Sequence, residues 1–411
     1  MNKRFLAALL TMPLALSNAF ADDAASTGPV VKISGYGTAA MTFSDTNDAE
    51  FARPNQATGV GKTARPGVDS NLGLQANVIV NDWLSGTVQG LVRKDGEDDF
   101  GGELAWAFAK AKLSDNLSVR VGRMGLPVFM ISDYRNVGYA NTLLRPPSEV
   151  YSQVPLNSID GIDATYQRSF GDTNLTAQLA LGRTKATLAT GADSVVHIEG
   201  KSIVALNLVA EHGPLTLRVG RAQTKISVDD SSGQNTLLAA LRATGAQFRL
   251  AQLGTLADDL AVKDKKASFT SVGLGLDWNN IVVQSEYAKR KTDSYVSDST
   301  SWYLMGGYRI GKFLPYYSHS NLKLDGGVAN SVPALAALKP LSAAVDTLLR
   351  TRNQQEQSTD TIGLRWDFHP SAALKVQIDR VKPNGDGLFL QTKAGFKGPV
   401  TVGAVAIDFV F

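Results

Sequence analysis

Few side chains in this sequence are equipped for covalent chemistry. There is no cysteine, and four histidines, His197, His212, His319 and His369, are scattered at spacings that make no ligand set. Without thiols, neither a disulfide framework nor a thiolate metal site can form. Gly61-Lys62-Thr63 ends like a phosphate-binding loop, but that motif needs glycine where Gln56 stands. Pro66 also falls inside the helix that should begin at the lysine. Asp95, Glu97, Asp98 and Asp99 present oxygen ligands of the kind a divalent ion takes, and equally the composition of a solvated acidic loop. Ser318-His319-Ser320 sets a nucleophile beside a base, yet neighbours on a strand point to opposite faces, so the two form no pair. The expectation is a protein with no catalytic residue, no metal and no cofactor.

Charge is the remaining chemistry, and it sits on a regular frame. Apolar residues alternate with glycine, small polar residues and full charges throughout. Leu72, Leu74, Ala76 and Val78 alternate with Gly73, Gln75 and Asn77, and Ile362, Leu364, Trp366 and Phe368 with Gly363, Arg365 and Asp367. A period of two means strands. Seven tight turns recur: Asn81-Asp82, Ser114-Asp115-Asn116, Gly171-Asp172, His212-Gly213, Asn279-Asn280, Gly311-Lys312 and His369-Pro370. Between them fall eight longer connections at about 45–67, 95–101, 127–158, 185–199, 227–266, 293–297, 323–358 and 384–397. Strict short–long alternation joins sixteen strands, with both chain ends on the short-turn side. An outer-membrane barrel segregates its loops in this way, with apolar residues facing lipid and polar ones a lumen. A soluble sandwich has no reason to do so.

The chain ends agree. Asn2, Lys3 and Arg4 precede an apolar run, Phe5 to Leu16, and the small-x-small triplet Ala19-Phe20-Ala21. This is the pattern of a cleaved secretory signal, giving a mature barrel over 22–411. Without Lys3 and Arg4, 39 basic side chains face 38 acidic ones, which gives no reason to expect a nucleic-acid partner. At the other end, "GAVAIDFVF" sets Val405, Ile407, Phe409 and Phe411 on one face and Asp408 on the other.

One stretch breaks the pattern. "PVFMISDYRNVGYANTLLRPPSEVYSQVP", Pro127 to Pro155, is about thirty irregular residues between two strands. Loops this long inside a compact fold usually carry function. Sixteen strands enclose an aqueous channel rather than a packed core, so something must set its size limit.

Export signal, sixteen strands, terminal phenylalanine and long third loop together resemble the trimeric porins of Gram-negative bacteria. The likeness is strongest at the last strand and at "VGRMGLPVFMISDYRNVGYANTLLRPPSEVY". It implies an outer-membrane homotrimer among lipid and lipopolysaccharide, passing small hydrophilic solutes and ions. The third loop would fold inward as the constriction, with Asp133, Tyr134, Arg135, Tyr139, Arg145, Glu149 and Tyr151 as its candidate pore residues. Its acids and arginines nearly balance, which departs from the acidic loop of that family. Small residues (Gly35, Gly37, Ala39 and Ala40; Gly86 and Gly90) offer a flat subunit contact.

Parity assigns the opposing wall. If Leu117, Val119 and Val121 face lipid, Arg120 faces the lumen, and by the same rule so do Arg218, Arg309, Arg365 and Lys375. An arginine in hydrocarbon costs about 2–4 kcal/mol at the midplane, so these assignments carry energy. Glu103, Asp163, Glu211, Asp277, Glu286, Asp367, Asp379 and Asp408 also point inward. Arg123 breaks the rule: parity sends it outward, whereas the resemblance implies a lumen arginine, and a bulge at Gly122 would reconcile the two. A position at a subunit interface or at the level of lipid phosphates is the alternative. "LSVRVGR" at 117–123, "LTLRVGR" at 215–221 and "LKVQIDR" at 374–380 share one outline. Residues 236–262 and 332–350 have helical composition and are expected over the barrel mouth or against a neighbouring subunit. The competing readings are a substrate-specific, anion-preferring channel and a closed-barrel adhesin or enzyme.

Overall fold

The computed structural model describes residues 28–411 apart from 98–99, 192–193, 230–231 and 354. The signal segment 1–21, and Asp98 and Asp99 of the acidic loop, lie outside the described residues. Sixteen strands are present. In chain order they are β1 Val30–Ser44, β2 Asn71–Ile79, β3 Leu84–Lys94, β4 Phe100–Lys112, β5 Leu117–Gly125, β6 Ser158–Phe170, β7 Thr173–Gly191 and β8 Ser194–His212, then β9 Leu215–Val228, β10 Lys265–Trp278, β11 Ile281–Thr292, β12 Asp298–Tyr308, β13 Phe313–Asp325, β14 Glu356–His369, β15 Ala372–Asn384 and β16 Val400–Val410. Each pairs antiparallel with its neighbours in sequence, and β1 pairs with β16 to close the barrel.

The expected alternation of short and long connections is present, with one correction. Residues 185–199 are not a loop: β7 and β8 stay paired from Thr184 opposite Gly200 to Gly191 opposite Ser194, so this hairpin rises above the rim. Several short turns use residues that tolerate positive φ, among them Gly171, Gly213, Asn279 and Gly311 at φ 57°, 54°, 53° and 61°.

The outer surface is apolar to a degree that water does not tolerate. Leu74, Val121 and Ile362 are 55%, 56% and 61% exposed, and similar residues circle the barrel. Contiguous apolar patches of this size mark a membrane surface. Aromatic side chains edge the band: Trp278, Tyr308 and Trp366 towards the short turns, Tyr287, Trp302 and Tyr317 towards the long loops.

The closing seam corrects the expected flat subunit contact. A Cβ on Gly35 would lie 2.2 Å from the Phe411 ring, and one on Gly37 2.5 Å from the Phe409 ring. These glycines therefore receive the terminal aromatics of their own chain. Ala40 is buried, on the same side of β1 as Tyr36 and Thr38, and only Ala39 of that stretch is exposed. Gly90 meets nothing within 4 Å, so the flat outer surface is on β3.

The helical loops hold α2 Ser232–Phe248, α3 Ala251–Leu260 and α4 Lys339–Asn353. Leu241, Leu253, Leu256 and Leu260 pack with Val345 and Leu349, and the cluster rests on Ile226 of β9 and Tyr295. This buries their apolar sides over the β9–β11 rim.

Candidate functional site

The third loop, residues 126–157, turns into the barrel and supplies much of its apolar core. It includes a short helix, α1 Ser148–Tyr151. Val128, Phe129, Met130, Ile131, Leu143, Val150 and Tyr151 are buried against Phe269, Tyr303, Met305 and Tyr316 of the wall. The Phe129 ring lies 4.6 Å from Tyr151 and 5.1 Å, edge-on, from Phe269.

The wall charges hold this loop by its backbone. Arg218 donates to the carbonyls of Val128 and Pro127 at 3.1 and 2.9 Å. Glu286 accepts from the Met130 amide at 3.0 Å and the Tyr151 hydroxyl at 2.8 Å. Lys375 donates to the carbonyls of Gly138, Asn141 and Leu143 at 2.7, 2.6 and 3.1 Å and lies 2.9 Å from Asp408. Three protons serve three carbonyls, which explains why one Asp408 oxygen faces the ammonium without a hydrogen bond. Arg365 donates to the carbonyls of Tyr139 and Asn141, both at 2.8 Å. Glu149 accepts from Ser320, Gln357 and Thr359 at 2.8, 2.6 and 2.5 Å.

Arg145 ties the third loop to the first. Its guanidinium grips both oxygens of Asp69, at 2.9 and 2.7 Å, and reaches Asp379 at 2.5 Å. Burial raises the Asp69 pKa, but the charge and hydrogen bonds of Arg145, helped by Arg53, prevail and hold the carboxyl below its ordinary 3.8.

Several residues expected to line the pore are thus corrected. Arg145, Glu149, Tyr151, Arg218 and Lys375 are 4%, 2%, 6%, 3% and 0% exposed. They face inward as parity requires, but a loop packed across them replaces the water, because each is consumed by backbone or carboxylate partners. Arg120 and Arg309 keep more access: Arg120 is bonded to Asp163 at 3.0 Å and Arg309 to Asp277 at 2.7 Å.

Arg123 is corrected in a different way. No register shift occurs at Gly122 in either ladder, and Arg123 stands opposite Ala107 and Asp160, two residues above lipid-exposed Val121. The shift lies one strand over, between Gln89 and Gly90 of β3. Gly122 instead takes φ +133°, where a side chain would strike the Ala107 carbonyl. Arg123 therefore belongs to the outer face, in an ion pair with Asp160 at 2.7 Å.

The loop leaves open the side of the barrel formed by β2–β8. A cavity of about 730 Å³ lies there, between Arg93, Glu103 and Trp106 of the wall and Asp133 and Arg135 of the loop. Asp133 is exposed to this space; enclosure by the barrel raises its pKa against the pull of Arg120. Arg135 is pressed down to about 10, by burial first and then by the charges of Arg93 and Arg53. Arg53, on the first loop, is lowered by burial and by Arg93 and Arg145, with Asp69 opposing. Arg93 has one carboxylate partner, Glu103 at 2.9 Å. Sequence reasoning missed Arg53 and Asp69, which stand in an irregular loop with no parity, and Arg93, although its alternation with Val92 and Leu91 could have found it.

The decoys settle apart from this site. Gly61 and Lys62 lie in extended loop, not at a helix start. Ser318 is buried, while His319 is on the outer side, 2.7 Å from Asp360. Among the described residues no group of three or more His, Asp or Glu is placed to hold a metal.

A family model described as Gram-negative porin matches residues 6–318. The chain belongs to the Gram-negative porin family. No curated protein matches it in sequence. Among solved structures, OmpF of Salmonella typhi in complex with daunomycin superposes at a TM-score of 0.55, with 13% identity over 93% of this chain and 98% of that one. The outer-membrane channel DcaP of Acinetobacter baumannii gives 0.54, with 11% identity over 93% and 98%. OmpT of Vibrio cholerae gives 0.52, with 12% identity over 94% and 99%. The porin is an outer-membrane channel for passive diffusion, and its third loop, held by wall cations and carboxylates, is the element that narrows it.

Proposed function

We propose that this porin sieves small hydrophilic solutes through the space between the third loop and the β2–β8 wall, with a slight preference for anions. The preference rests on one observation: Arg53, Arg93 and Arg135 converge on that space with Glu103 as their carboxylate partner. Guanidinium groups stay charged at any working pH, so mutual repulsion that disfavours them makes a passing anion welcome. Acids at the mouth, Asp95, Glu97, Glu199 and Asp229, keep the preference small. The channel acts without catalysis, cofactor or energy coupling. Met1 to Ala21 is removed on export, leaving Asp22 as the first residue, and three copies assemble through the β3 side; a trimer form is described for OmpT of Vibrio cholerae. Arg135→Glu should move the zero-current potential under a salt gradient towards cations. An unchanged potential in a conducting variant would remove this arginine from the filter.

A further inference from the structure

On the outer face of β9–β11, the apolar band gives way abruptly to cations. Val219, Val272 and Tyr287 are cross-strand neighbours, 48%, 48% and 47% exposed. One step towards the long loops, the same row continues as Arg221, Thr270 and Lys289, then Gln223, Ser268 and Lys291, then Lys225 opposite Lys266. Phe269, Ser271, Glu286 and Ala288 are buried, which fixes these five cations on the outer side. By strand spacing they span about 10 by 13 Å.

These cations lack counter-charges. None has a carboxylate within ion-pair distance among the described residues. The nearest acid, Asp264, is already 3.2 Å from Lys201 and accepts from Ser227. Like charges directly opposite on a ladder destabilise it, and Lys225 stands opposite Lys266. Arg221 is also held in place: it donates to the Thr270 hydroxyl at 2.9 Å and to the Gln223 side-chain oxygen. A second subunit fits this face poorly, because the row beneath it is an apolar surface of the kind the rest of the barrel presents to lipid.

We propose that this patch binds the phosphorylated headgroup of a lipopolysaccharide molecule in the outer leaflet. Its phosphates meet Arg221, Lys225, Lys266, Lys289 and Lys291, while its acyl chains lie on Val219, Val272 and Tyr287. The repeated outline noted in the sequence supplies the arginine: Arg221 ends "LTLRVGR" on the lipid side of β9, one step above Val219.

The test uses refolded full-length porin in detergent, titrated with purified lipopolysaccharide and followed by native mass spectrometry. Replacing Arg221, Lys289 and Lys291 together by Gln should weaken binding roughly hundredfold, on the usual worth of a basic residue at an anionic lipid surface. Lipid lacking its phosphates should bind the unaltered protein as weakly, and inorganic phosphate should not compete at equal concentration. Lys312→Gln, at a short turn on the opposite rim, should change nothing. Equal binding by the triple variant, or indifference to the phosphates, would overturn the site. Competition by inorganic phosphate at equal concentration would make it a free-anion site and refute the lipid assignment. Single-channel conductance of the triple variant reports separately on the pore, which the proposal leaves unchanged.

Discussion

Lys375→Met isolates the force that keeps the third loop in the lumen. Lys375 and Asp408 are both 0% exposed and 2.9 Å apart, and the ammonium spends its three protons on the carbonyls of Gly138, Asn141 and Leu143. Methionine matches the length of the stem but donates nothing. Removing one partner of a buried ion pair costs about 3–5 kcal/mol, because the survivor keeps its desolvation without its counter-charge. Here the cost can be relieved locally, by letting residues 138–143 leave the wall so that water reaches Asp408. If all of it appears in the loop equilibrium, the detached state rises roughly 150- to 4,000-fold. Planar-bilayer recordings of the refolded variant should show larger, noisier openings than the unaltered channel. Lys375→Met with Asp408→Asn should recover part of the quiet state, since the orphaned charge is gone. A single variant with unchanged conductance and unchanged denaturation midpoint would refute the reasoning. It would assign the loop's position to the apolar packing of Phe129 and Tyr151 instead.

Other consequences concern the remaining contacts. The native pKa of Asp69 lies below its ordinary 3.8, so its link to Arg145 contributes stability that is complete above that pH and lost as pH falls through the lower native value; conductance should hold steady down to about pH 4 and then change. Arg120→Gln leaves Asp163 enclosed and unpaired, and should lower the denaturation midpoint by the equivalent of about 3–5 kcal/mol, less whatever lumen water restores. Gly37→Val places a side chain where the Phe409 ring lies, and overpacking of about 1–3 kcal/mol should slow closure of the β1–β16 seam, read as slower appearance of the heat-modifiable barrel on gels. Phe409→Ala in the same chain should restore the rate.

Strand number, closure and the inward face of nearly every charge were legible because a period of two leaves only one consistent assignment once lipid lies outside. That logic also fixed Arg123, whose parity was right and whose implied bulge was not: the extra residue sits across the ladder, opposite the Gln89–Gly90 step. What parity cannot report is whether an inward residue meets water. Arg218 and Lys375 point into the lumen but end on loop carbonyls, since loop conformation depends on contacts across more than a hundred residues of sequence. Arg53 and Asp69 were illegible for the same reason. Alternation likewise could not see that Gly35 and Gly37 are seats for Phe411 and Phe409 rather than a subunit surface. The 185–199 hairpin was mistaken for a loop because its Thr, Ala and Gly composition carries little apolar contrast above the membrane.

The measurement closest to the central claim is the zero-current potential of single channels in a planar bilayer under a tenfold potassium chloride gradient, before and after Arg135→Glu. Stepwise openings with a small anion-side potential, moving to the cation side in the variant, are the predicted result. Absence of conductance from a correctly folded barrel, or a strong cation-side potential in the unaltered protein, would contradict a water-filled path between the third loop and the Arg53–Arg93–Arg135 cluster.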